Sequence, residues 1–413
     1  MKPDTTDLLV ENLPAAQTHL RIAVVTETYP PEINGVALTL QRVVLGLRER
    51  GHDVQLVRPR QGGDARPGEQ VASGGDVLLR GMAIPRYPHL QLGLPSRRQL
   101  QPLWTLQRPD LVHIATEGPL GWSALRVARK LRIPVTSDFR TNFHAYSSHY
   151  GMGWLSKPIM AYLRRFHNQT LTTMVPTRGL ADRLAAAGFE RLQVVARGVD
   201  TTLFDPALRS EALRARWGVQ PDSPVLLCVG RLAKEKNLPL LIRAYAQARL
   251  LRPDLKLVLV GDGPQRAELQ ALAPDALFTG ALDRAALAQH YASADIFGFP
   301  SQTETFGNVV LEAMASGLAV LAYDYAAASE NITHGGNGLL VPMDDEESFV
   351  RQLAELVQND SLRARLRTGA RASARMNDWG GIVAQIESVM KLAIAGHLSG
   401  EGQRTSIAAQ QMA

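Results

Sequence analysis

Two basic side chains follow a predicted strand in the second half of the sequence. The segment VGRLAKEKN (229–237) ends a strand at Gly230 and places Arg231 and Lys236 in the loop that comes next. A guanidinium fork and a mobile ammonium suit a diphosphate whose negative charge grows as its ester bond breaks. A solvated basic loop at the start of a helix would have the same sequence pattern, so this segment alone leaves both interpretations open.

A second candidate segment, SQTETFGNVVLEAMASGLAV (301–320), holds two glutamates eight residues apart. Glu304 lies in the loop after a predicted strand, and Glu312 lies in the second turn of the helix that follows. Free N–H groups at a helix start attract phosphate oxygens, and Gly307 would let a ligand approach the backbone. Glu312 could accept hydrogen bonds from two ribose hydroxyls. The alternative is a pair of ordinary solvent carboxylates, but the small residues after Glu312 favour a closely packed helix.

The elements that must position these residues alternate along the chain. Short apolar runs separated by helical stretches are typical of parallel βα units. In the first half the predicted strands span 21–29, 53–59, 111–118, 134–139, 173–177 and 192–200. After the polar stretch 200–224 they span 224–232, 255–264, 276–281, 294–301, 318–324 and 338–342. Ligands in such sheets bind beyond the carboxyl ends of the strands, which is where both candidate segments lie.

Chain length supports two domains, because single cores stop growing near roughly 250–300 residues and this chain has 413. The predicted fold class is α/β, with two Rossmann-like, doubly wound domains facing a central cleft. The predicted boundaries are a tail at 1–20, a first domain at 21–205, a second domain at 218–378, a helix at 380–398 that completes the first domain, and a tail at 399–413. Helix 238–251, with Asn237 as its N-cap, is expected early in the second domain.

Composition and charge narrow the class of protein. Cys228 is the only cysteine, which excludes an intramolecular disulfide or a cysteine-based metal cluster. Residues 1–200 carry 25 basic and 16 acidic side chains, a net +9, and the remainder carries 20 and 23, a net −3. Such a positive half suits nucleic acid, an anionic membrane or an anionic small molecule. Nucleic acid is the least favoured partner because no binding motif accompanies the charge.

A family resemblance rests on these motifs taken together. The runs GRLAKEKN, VGDGP, YASADIFGFPSQTETFGNVVLEAMASGLAV and GGNGLLVP resemble the donor-binding domain of retaining glycosyltransferases of the GT-B fold, family 4. The earlier segment TETYPPEINGVALTLQRVVLGLRERGHDVQLV is similar to the subgroup in which Asn-Gly-Val follows the first strand. That subgroup contains many lipid glycosyltransferases and mannosyltransferases. The resemblance covers nearly all of residues 20–395.

The resemblance implies a nucleotide diphosphate sugar as donor and transfer with retention at the anomeric carbon. Arg231 and Lys236 would neutralise the departing diphosphate, and Glu304 would hold the sugar. Glu312 would hold the ribose, Gly35 would bring backbone amides from the opposite domain, and the base would lie near Gly261 to Gly263. The implied donor-binding residues are Gly35, Gly230, Gly261, Gly263, Phe306, Gly307, Asn308, Val309 and Glu312.

The sequence departs from the family pattern after the fifth strand. Many relatives have a His that reaches the donor sugar, whereas DFRTNFHAYSSHYG places Arg140 there and His144 four residues later. Arg140 could contact an anionic sugar or phosphate, and Asp138 could be the polar group near the reacting centre. Glu330 follows a segment that lacks the Gly pair of many relatives. The predicted catalytic residues are Arg231, Lys236, Glu304, Asp138 and Arg140.

No metal and no cofactor is predicted. The sequence has no Asp-x-Asp after a strand, and Asp344-Asp345 belongs to the acidic run DDEE, which is more simply a solvated surface. Retaining glycosidases use two carboxylates about 5–5.5 Å apart. No such pair is apparent, so leaving-group stabilisation by positive charge is the expected chemistry.

A basic amphipathic segment at 154–166 suggests contact with a membrane. It combines Trp154, Ile159, Tyr162, Leu163 and Phe166 with Lys157, Arg164 and Arg165. The alternative is a core-facing helix with its basic residues in solvent. The N-terminus lacks the apolar stretch of a signal peptide, so the expected location is the cytoplasm, with peripheral attachment to the inner face of the membrane.

The predicted function is transfer of a hexosyl group from a nucleotide diphosphate sugar to an acceptor hydroxyl, most simply of a membrane lipid such as diacylglycerol. A soluble sugar or polysaccharide intermediate is the alternative acceptor. A nucleotide-sugar epimerase would use a similar cleft. An epimerase would turn over the donor without any acceptor, which distinguishes the two classes.

Overall fold

The computed structural model describes residues 19–32, 35–61, 64, 76–84, 87–140, 156–304 and 306–411. Most of the predicted tail 1–20, together with Trp154 and His144, lies outside these residues. Two fully parallel sheets form the molecule, which confirms the predicted pair of Rossmann-like domains.

The first sheet has seven strands in the order β3-β2-β1-β6-β7-β8-β9. Its strands are β1 (Arg21–Val25), β2 (Asp53–Pro59), β3 (Val77–Leu79), β6 (Leu111–Ile114), β7 (Val135–Asp138), β8 (Thr172–Val175) and β9 (Leu192–Val194). Strands β4 (Gly81–Ile84) and β5 (Tyr87–Gly93) form a separate antiparallel hairpin. The strand order reverses between β1 and β6, so a crevice opens beyond their carboxyl ends.

The second sheet has six strands in the order β12-β11-β10-β13-β14-β15. They are β10 (Val225–Val229), β11 (Lys256–Val260), β12 (Leu277–Gly280), β13 (Ile296–Phe299), β14 (Ala319–Tyr323) and β15 (Leu339–Val341). Here the order reverses between β10 and β13, which places the second crevice beyond Val229 and Phe299. The first predicted site segment begins at Val229, and the second begins two residues beyond Phe299.

Helices cover both faces of the sheets. Those of the first half are α1 (Gly35–Glu49), α2 (Arg97–Leu106), α3 (Pro119–Lys130), α4 (Ser156–His167) and α5 (Arg178–Ala186). They are followed by α6 (Glu211–Arg216), α7 (Leu238–Leu251), α8 (Arg266–Leu272), α9 (Arg284–Ser293), α10 (Asn308–Ala315), α11 (Ala326–Asn331), α12 (Glu346–Gln358), α13 (Asp360–Met376) and α14 (Trp379–Gln411).

Helix α7 has the bounds that the sequence predicts, but its cap differs from the prediction. Asn237 occupies the N-cap position in a left-handed conformation, with φ 49° and ψ 40°, and its side chain makes no capping hydrogen bond. Pro239 in the first turn is tolerated because that N–H has no partner within the helix. The helix start is therefore held by packing of Leu238, Leu241 and their buried neighbours rather than by the asparagine amide.

Helix α14 returns to the first sheet after the whole second domain. Its residues Val383, Ile386 and Met390 share one buried cluster with Val43 and Val44 of α1. The packing is close, since a Cβ added at Gly46 would lie 2.7 Å from Val383 Cγ2. The helix runs beyond the predicted end at residue 398 and ends at Gln411, so the predicted tail at 399–413 is wrong for residues 399–411.

The two crossings between the domains run side by side. Val199 N–H donates to the Asn377 carbonyl at 2.9 Å, and Val199 forms a parallel bridge with Asp378. A Cβ at Gly198 would lie 2.9 Å from the Trp379 side chain. The two connections between the domains therefore lie against each other.

Candidate active site

Lys236 and Glu304 form an ion pair at the crevice of the second sheet. The Lys236 ammonium donates to Glu304 Oε1, and the Ser301 hydroxyl donates to the same oxygen at 2.9 Å. Lys236 Nζ also lies 5.4 Å from the centre of the Phe299 ring. Both charged side chains are about 15% exposed, so the pair is fixed yet open to a ligand. The structure therefore brings together two predicted catalytic residues that are far apart in the chain.

Arg231 and Gly230 stand at the end of β10, in the same loop as Lys236. A Cβ at Gly230 would lie 3.9 Å from Lys236 Cε, so the loop folds the lysine back over the strand end. Arg231 is exposed, and its side chain has no hydrogen bond to any residue that the structure describes. Its predicted contact with the leaving diphosphate remains a prediction.

The start of α10 faces the first domain. Gly307 precedes the helix with φ 94° and ψ 59°, a conformation that favours glycine, and no side chain caps the helix. Asn308 Oδ1 is buried and has no hydrogen-bond partner in the described structure. A Cβ at Gly35 of α1 would lie 3.9 Å from Asn308 Nδ2. Loops from the two domains therefore meet where the resemblance predicts the donor.

Glu312 lies one turn beyond the start of α10 and is already bonded within the domain. The buried Tyr291 hydroxyl donates to Glu312 Oε2 at 3.0 Å and lies 3.5 Å from the Val309 carbonyl. Burial raises the pKa of the Glu312 carboxyl, and Tyr291 and Arg284 act against that shift. One carboxylate oxygen is thus oriented by tyrosine, which leaves the other for a ligand.

Gly261 and Gly263 serve the packing of the second crevice. A Cβ at Gly261 would lie 1.9 Å from the Gly230 carbonyl oxygen, and one at Gly263 would lie 2.4 Å from that of Leu232. Leu232 N–H also donates to the Asp262 carbonyl at 2.9 Å. These glycines let the loops after β10 and β11 touch, and nothing in the geometry tests their predicted place beside the base.

Asp138 and Arg140 form a buried cluster with His113 at the end of β7. The Arg140 guanidinium donates to Asp138 Oδ2, with Nε at 2.7 Å, and His113 Nε2 lies 3.3 Å from the same oxygen. Burial opposes ionisation of Asp138, but the charge of Arg140 and then His113 hold its pKa well below the usual range. Asp138 is therefore an ionised partner that orients Arg140.

Arg197 was not among the predicted site residues, although it follows β9 at the cleft edge. It is 7% exposed, and its guanidinium carbon lies 5.4 Å from the centre of the Phe306 ring in the other domain. Burial and then the nearby Arg140 lower its pKa to about 9, against the attraction of Asp138 and Glu304. The sequence analysis placed Arg197 inside the predicted strand 192–200, whereas β9 ends at Val194 and leaves Arg197 in the loop beyond it.

Glu27, just after β1, is a buried carboxyl that sequence reasoning missed. Its Oε1 accepts a hydrogen bond from Leu120 N–H at 3.0 Å, in the first turn of α3, and its side chain is almost fully buried. A Cβ at Gly118 would lie only 2.0 Å from Glu27 Oε2. Burial raises the pKa of Glu27 from 4.5 to about 7, the hydrogen bond from Leu120 opposes this, and Glu117 adds to it.

Acidic residues outside the cleft have structural partners. Asp345 caps α12, since it accepts a hydrogen bond from Ser348 N–H at 3.0 Å, and Asp344 accepts one from Gln302 at 2.9 Å. Glu330 accepts a hydrogen bond from Arg178 N–H at 2.5 Å, across the domain boundary. Within the described ranges, no group of three or more His, Cys, Asp or Glu side chains could hold a metal ion.

Helix α4, the described part of the predicted membrane segment, turns its apolar face inward. Leu163 and Phe166 are buried, and Leu163 packs against Phe139 and Val175. The basic residues Lys157, Arg164 and Arg165 are exposed. Among the large apolar residues named for this segment, Leu163 and Phe166 therefore belong to the core, whereas Tyr162 is 43% exposed. No helix in the described part of the chain combines the length and apolar character needed to cross a bilayer.

Family models match most of the chain. Residues 33–203 match the model described as Glycosyltransferase Family 4, and residues 209–373 match Glycosyl transferases group 1. A GDP-mannose-dependent alpha-mannosyltransferase of Mycolicibacterium smegmatis is 36% identical over 362 residues, which cover 87% of this chain and 94% of that protein. The chain belongs to glycosyltransferase family 4. The resemblance read from its motifs is confirmed, and the protein is a glycosyltransferase.

Two more distant proteins agree with this assignment, one in sequence and one in fold. An alpha-monoglucosyldiacylglycerol synthase of Acholeplasma laidlawii is 26% identical over 377 residues, 86% of this chain and 93% of that protein. Sucrose-phosphate synthase from Thermosynechococcus elongatus superposes with a TM-score of 0.71 at 19% identity, over 91% of this chain and all of that structure. This structural likeness supports the GT-B fold.

Proposed function

We propose that this glycosyltransferase moves a hexosyl group, with retention, from a nucleotide diphosphate sugar to a hydroxyl of a membrane lipid. The observation that carries the proposal is the meeting of Gly35 with Asn308, next to the Lys236–Glu304 pair. The two crevices open onto one cleft at this point, so a donor bound by the second domain would face an acceptor bound by the first.

The chemistry follows from the charges in the cleft. Lys236 and Arg231 would stabilise the diphosphate as the sugar–oxygen bond breaks, and the N–H groups at the start of α10 would add to this. Asn308 Oδ1, buried without a partner, would accept a hydrogen bond from a donor hydroxyl. For transfer with retention, the acceptor hydroxyl would enter from the face of the sugar that the diphosphate leaves.

GDP-mannose is the donor to test first, because the mannosyltransferase relative named above is GDP-mannose-dependent. Diacylglycerol is the first acceptor, because a relative is named as a synthase of its glucosylated form. The purified protein should form a new glycolipid from GDP-mannose or UDP-glucose in mixed vesicles, detected by mass spectrometry. Lys236→Ala should lower the rate at least 100-fold, since it removes a charge from the leaving group.

Two control arms define the class of reaction. Turnover of donor to a new sugar epimer without acceptor would replace the proposal by an epimerase. Transfer to a soluble sugar but to none of the vesicle lipids would keep the transferase and change its acceptor.

The proposal includes peripheral attachment to the cytoplasmic face of an anionic membrane. Support comes from the net +9 charge of residues 1–200 and from the exposed Lys157 and Arg165 on α4. Since the apolar side of α4 faces the core, the attachment would be electrostatic and would not require insertion of the helix.

A further inference from the structure

Arg197 differs from the other buried arginines of the described structure. Four arginines are at least 91% buried: Arg58, Arg197, Arg214 and Arg363. Arg58 donates to Asp64 at 2.7 and 2.8 Å, Arg363 donates to the Leu356 carbonyl at 2.7 Å, and Arg214 bonds Asp295 and several carbonyls. Arg197 makes no hydrogen bond to any described residue.

A guanidinium that is only 7% exposed and has no acceptor among the described residues is costly, because little water can replace the missing hydrogen bonds. Its contact with Phe306, 5.4 Å from the guanidinium carbon to the ring centre, supplies no hydrogen-bond acceptor. The two carboxylates that act on its charge, Asp138 and Glu304, are bonded to Arg140 and Lys236 respectively. Neighbouring residues therefore leave one positive charge uncompensated.

Arg197 lines a small pocket of the first domain together with Arg140, Asp138 and Thr39. Among the described residues, Asp138 and Glu304 are the carboxylates that act on Arg197, and both already have a basic partner. A ligand could supply the additional negative charge. The pocket belongs to the first domain, whereas Arg231 and Lys236, the groups proposed for the diphosphate, follow β10 of the second.

We propose that Arg197 binds an acidic group of a substrate, a carboxylate, sulfonate or phosphate, that is distinct from the diphosphate of the donor. This inference rests on the proposed function and deepens it. A planar guanidinium accepts two oxygens of such a group in parallel hydrogen bonds. Arg140, fixed by Asp138, would lie beside the same group. The acid belongs either to the transferred sugar or to the acceptor head group.

Matched substrates distinguish these two sources. For the donor arm, UDP-glucuronate is compared with UDP-glucose, which differ only in carboxylate against hydroxymethyl. For the acceptor arm, glucuronosyl-diacylglycerol is compared with glucosyl-diacylglycerol, with GDP-mannose as donor. The unmodified protein should prefer the acidic member in one arm, and Arg197→Met should lower that preference, as a ratio of kcat/KM values, at least 10-fold. Arg197→Lys should retain part of it.

Arg21→Met is the control, since Arg21 is a half-exposed arginine at the opposite end of the first sheet and should leave the ratio unchanged. GDP binding by calorimetry should be the same for Arg197→Met and the unmodified protein. A GDP affinity that falls with Arg197→Met would assign the residue to the diphosphate and overturn the inference. A ratio that Arg197→Met leaves unchanged in both arms would do the same.

A readout without turnover separates this inference from the proposed function. Sodium sulfate, at ionic strength matched with chloride, should raise the Tm of the unmodified protein and of Arg21→Met more than that of Arg197→Met, because sulfate also stabilises folded proteins in general. If no hexosyl transfer occurs yet the sulfate effect is present and needs Arg197, the proposed reaction fails while the anion site stands. If sulfate has equal effects on all three proteins, the anion site is rejected.

Discussion

Glu312 is held between a structural partner and the cleft, so its effect on donor binding can be measured separately from its effect on the fold. Glu312→Gln keeps an oxygen for the Tyr291 hydroxyl and removes the charge proposed to bind ribose. Loss of such a charged hydrogen bond costs about 1.5–3 kcal/mol, so the Kd for the donor should rise about 10-fold or more. Calorimetry would measure this Kd, with Glu355→Gln, at an exposed position of α12, as control. An unchanged Kd with an unchanged Tm would move the ribose elsewhere.

Glu27 predicts a pH dependence of stability. Its pKa is raised from 4.5 to about 7 in the folded state, so the folded protein holds this proton more tightly than the unfolded chain. Its contribution to stability is present below about pH 4.5 and is lost as pH rises toward 7. Glu27→Gln cannot ionise, and its free energy of unfolding relative to the unmodified protein should therefore increase from pH 5 to pH 8, by at most about 3 kcal/mol.

Urea denaturation at the two pH values would test this, with the exposed Glu190→Gln as a matched control. Equal pH dependence in Glu27→Gln and the unmodified protein would show that the buried carboxyl keeps an ordinary pKa.

Several site residues could be identified from sequence because they follow predicted strands. Lys236 and Glu304 were found in this way, although their direct pairing required the fold. Arg197 and Glu27 were missed because they fall inside the predicted strands 192–200 and 21–29, whereas the observed strands end at Val194 and Val25. Their character comes from burial against Phe306 and Leu120, which lie about a hundred residues away in sequence and cannot be inferred from local pattern.

At the scale of elements, contact between two loops depends on Gly261. Its added Cβ would lie 1.9 Å from the Gly230 carbonyl oxygen, and its φ of 132° disfavours a side chain. Gly261→Ala should lower the free energy of unfolding by about 2–4 kcal/mol, by forcing the loops after β10 and β11 apart. Gly179→Ala in α5, where nothing lies within 4 Å, should change it by less than about 1 kcal/mol. Similar Tm values for both variants would contradict the close packing.

Helix α4 carries the proposed electrostatic attachment. Lys157→Gln with Arg165→Gln removes two exposed charges and spares the core-facing side of the helix. Each charge near an anionic surface contributes about 1 kcal/mol, so binding to phosphatidylglycerol vesicles at low salt should fall by about 30-fold. Sedimentation would measure it, with the exposed pair Arg97→Gln and Arg98→Gln of α2 as a charge-matched control. Absence of binding by the unmodified protein would reject the attachment.

Most strands of the two parallel sheets could be predicted from the sequence because they are continuous apolar runs. Runs such as RIAVV and VLLCV are apolar on both faces because helices cover both sides of a parallel sheet. The three strands absent from the sequence prediction, β3, β4 and β5, are short or belong to a separate hairpin, so they lack such runs. The extra length of α14 was missed because its polar composition resembles a tail.

For the whole molecule, the charges of the cleft predict metal-independent transfer. Lys236, Arg231 and the start of α10 would supply the positive field that Mg²⁺ supplies in other enzymes. Hexosyl transfer in 5 mM EDTA should therefore keep more than half of the rate measured without EDTA. Complete loss, reversed by adding a divalent cation, would show that a metal takes part.

The return of α14 to the first sheet has a consequence for synthesis on the ribosome. Val383, Ile386 and Met390 seal an apolar surface of the first domain, yet they are translated only after every strand of the second. Nascent chains usually fold from the N-terminus onward. The first domain therefore cannot complete its core until the second domain has been synthesised. Until then, Val43 and Val44 stay uncovered. The donor-binding domain should thus be the first to fold, and the acceptor-side domain should be the one that chaperones bind during synthesis.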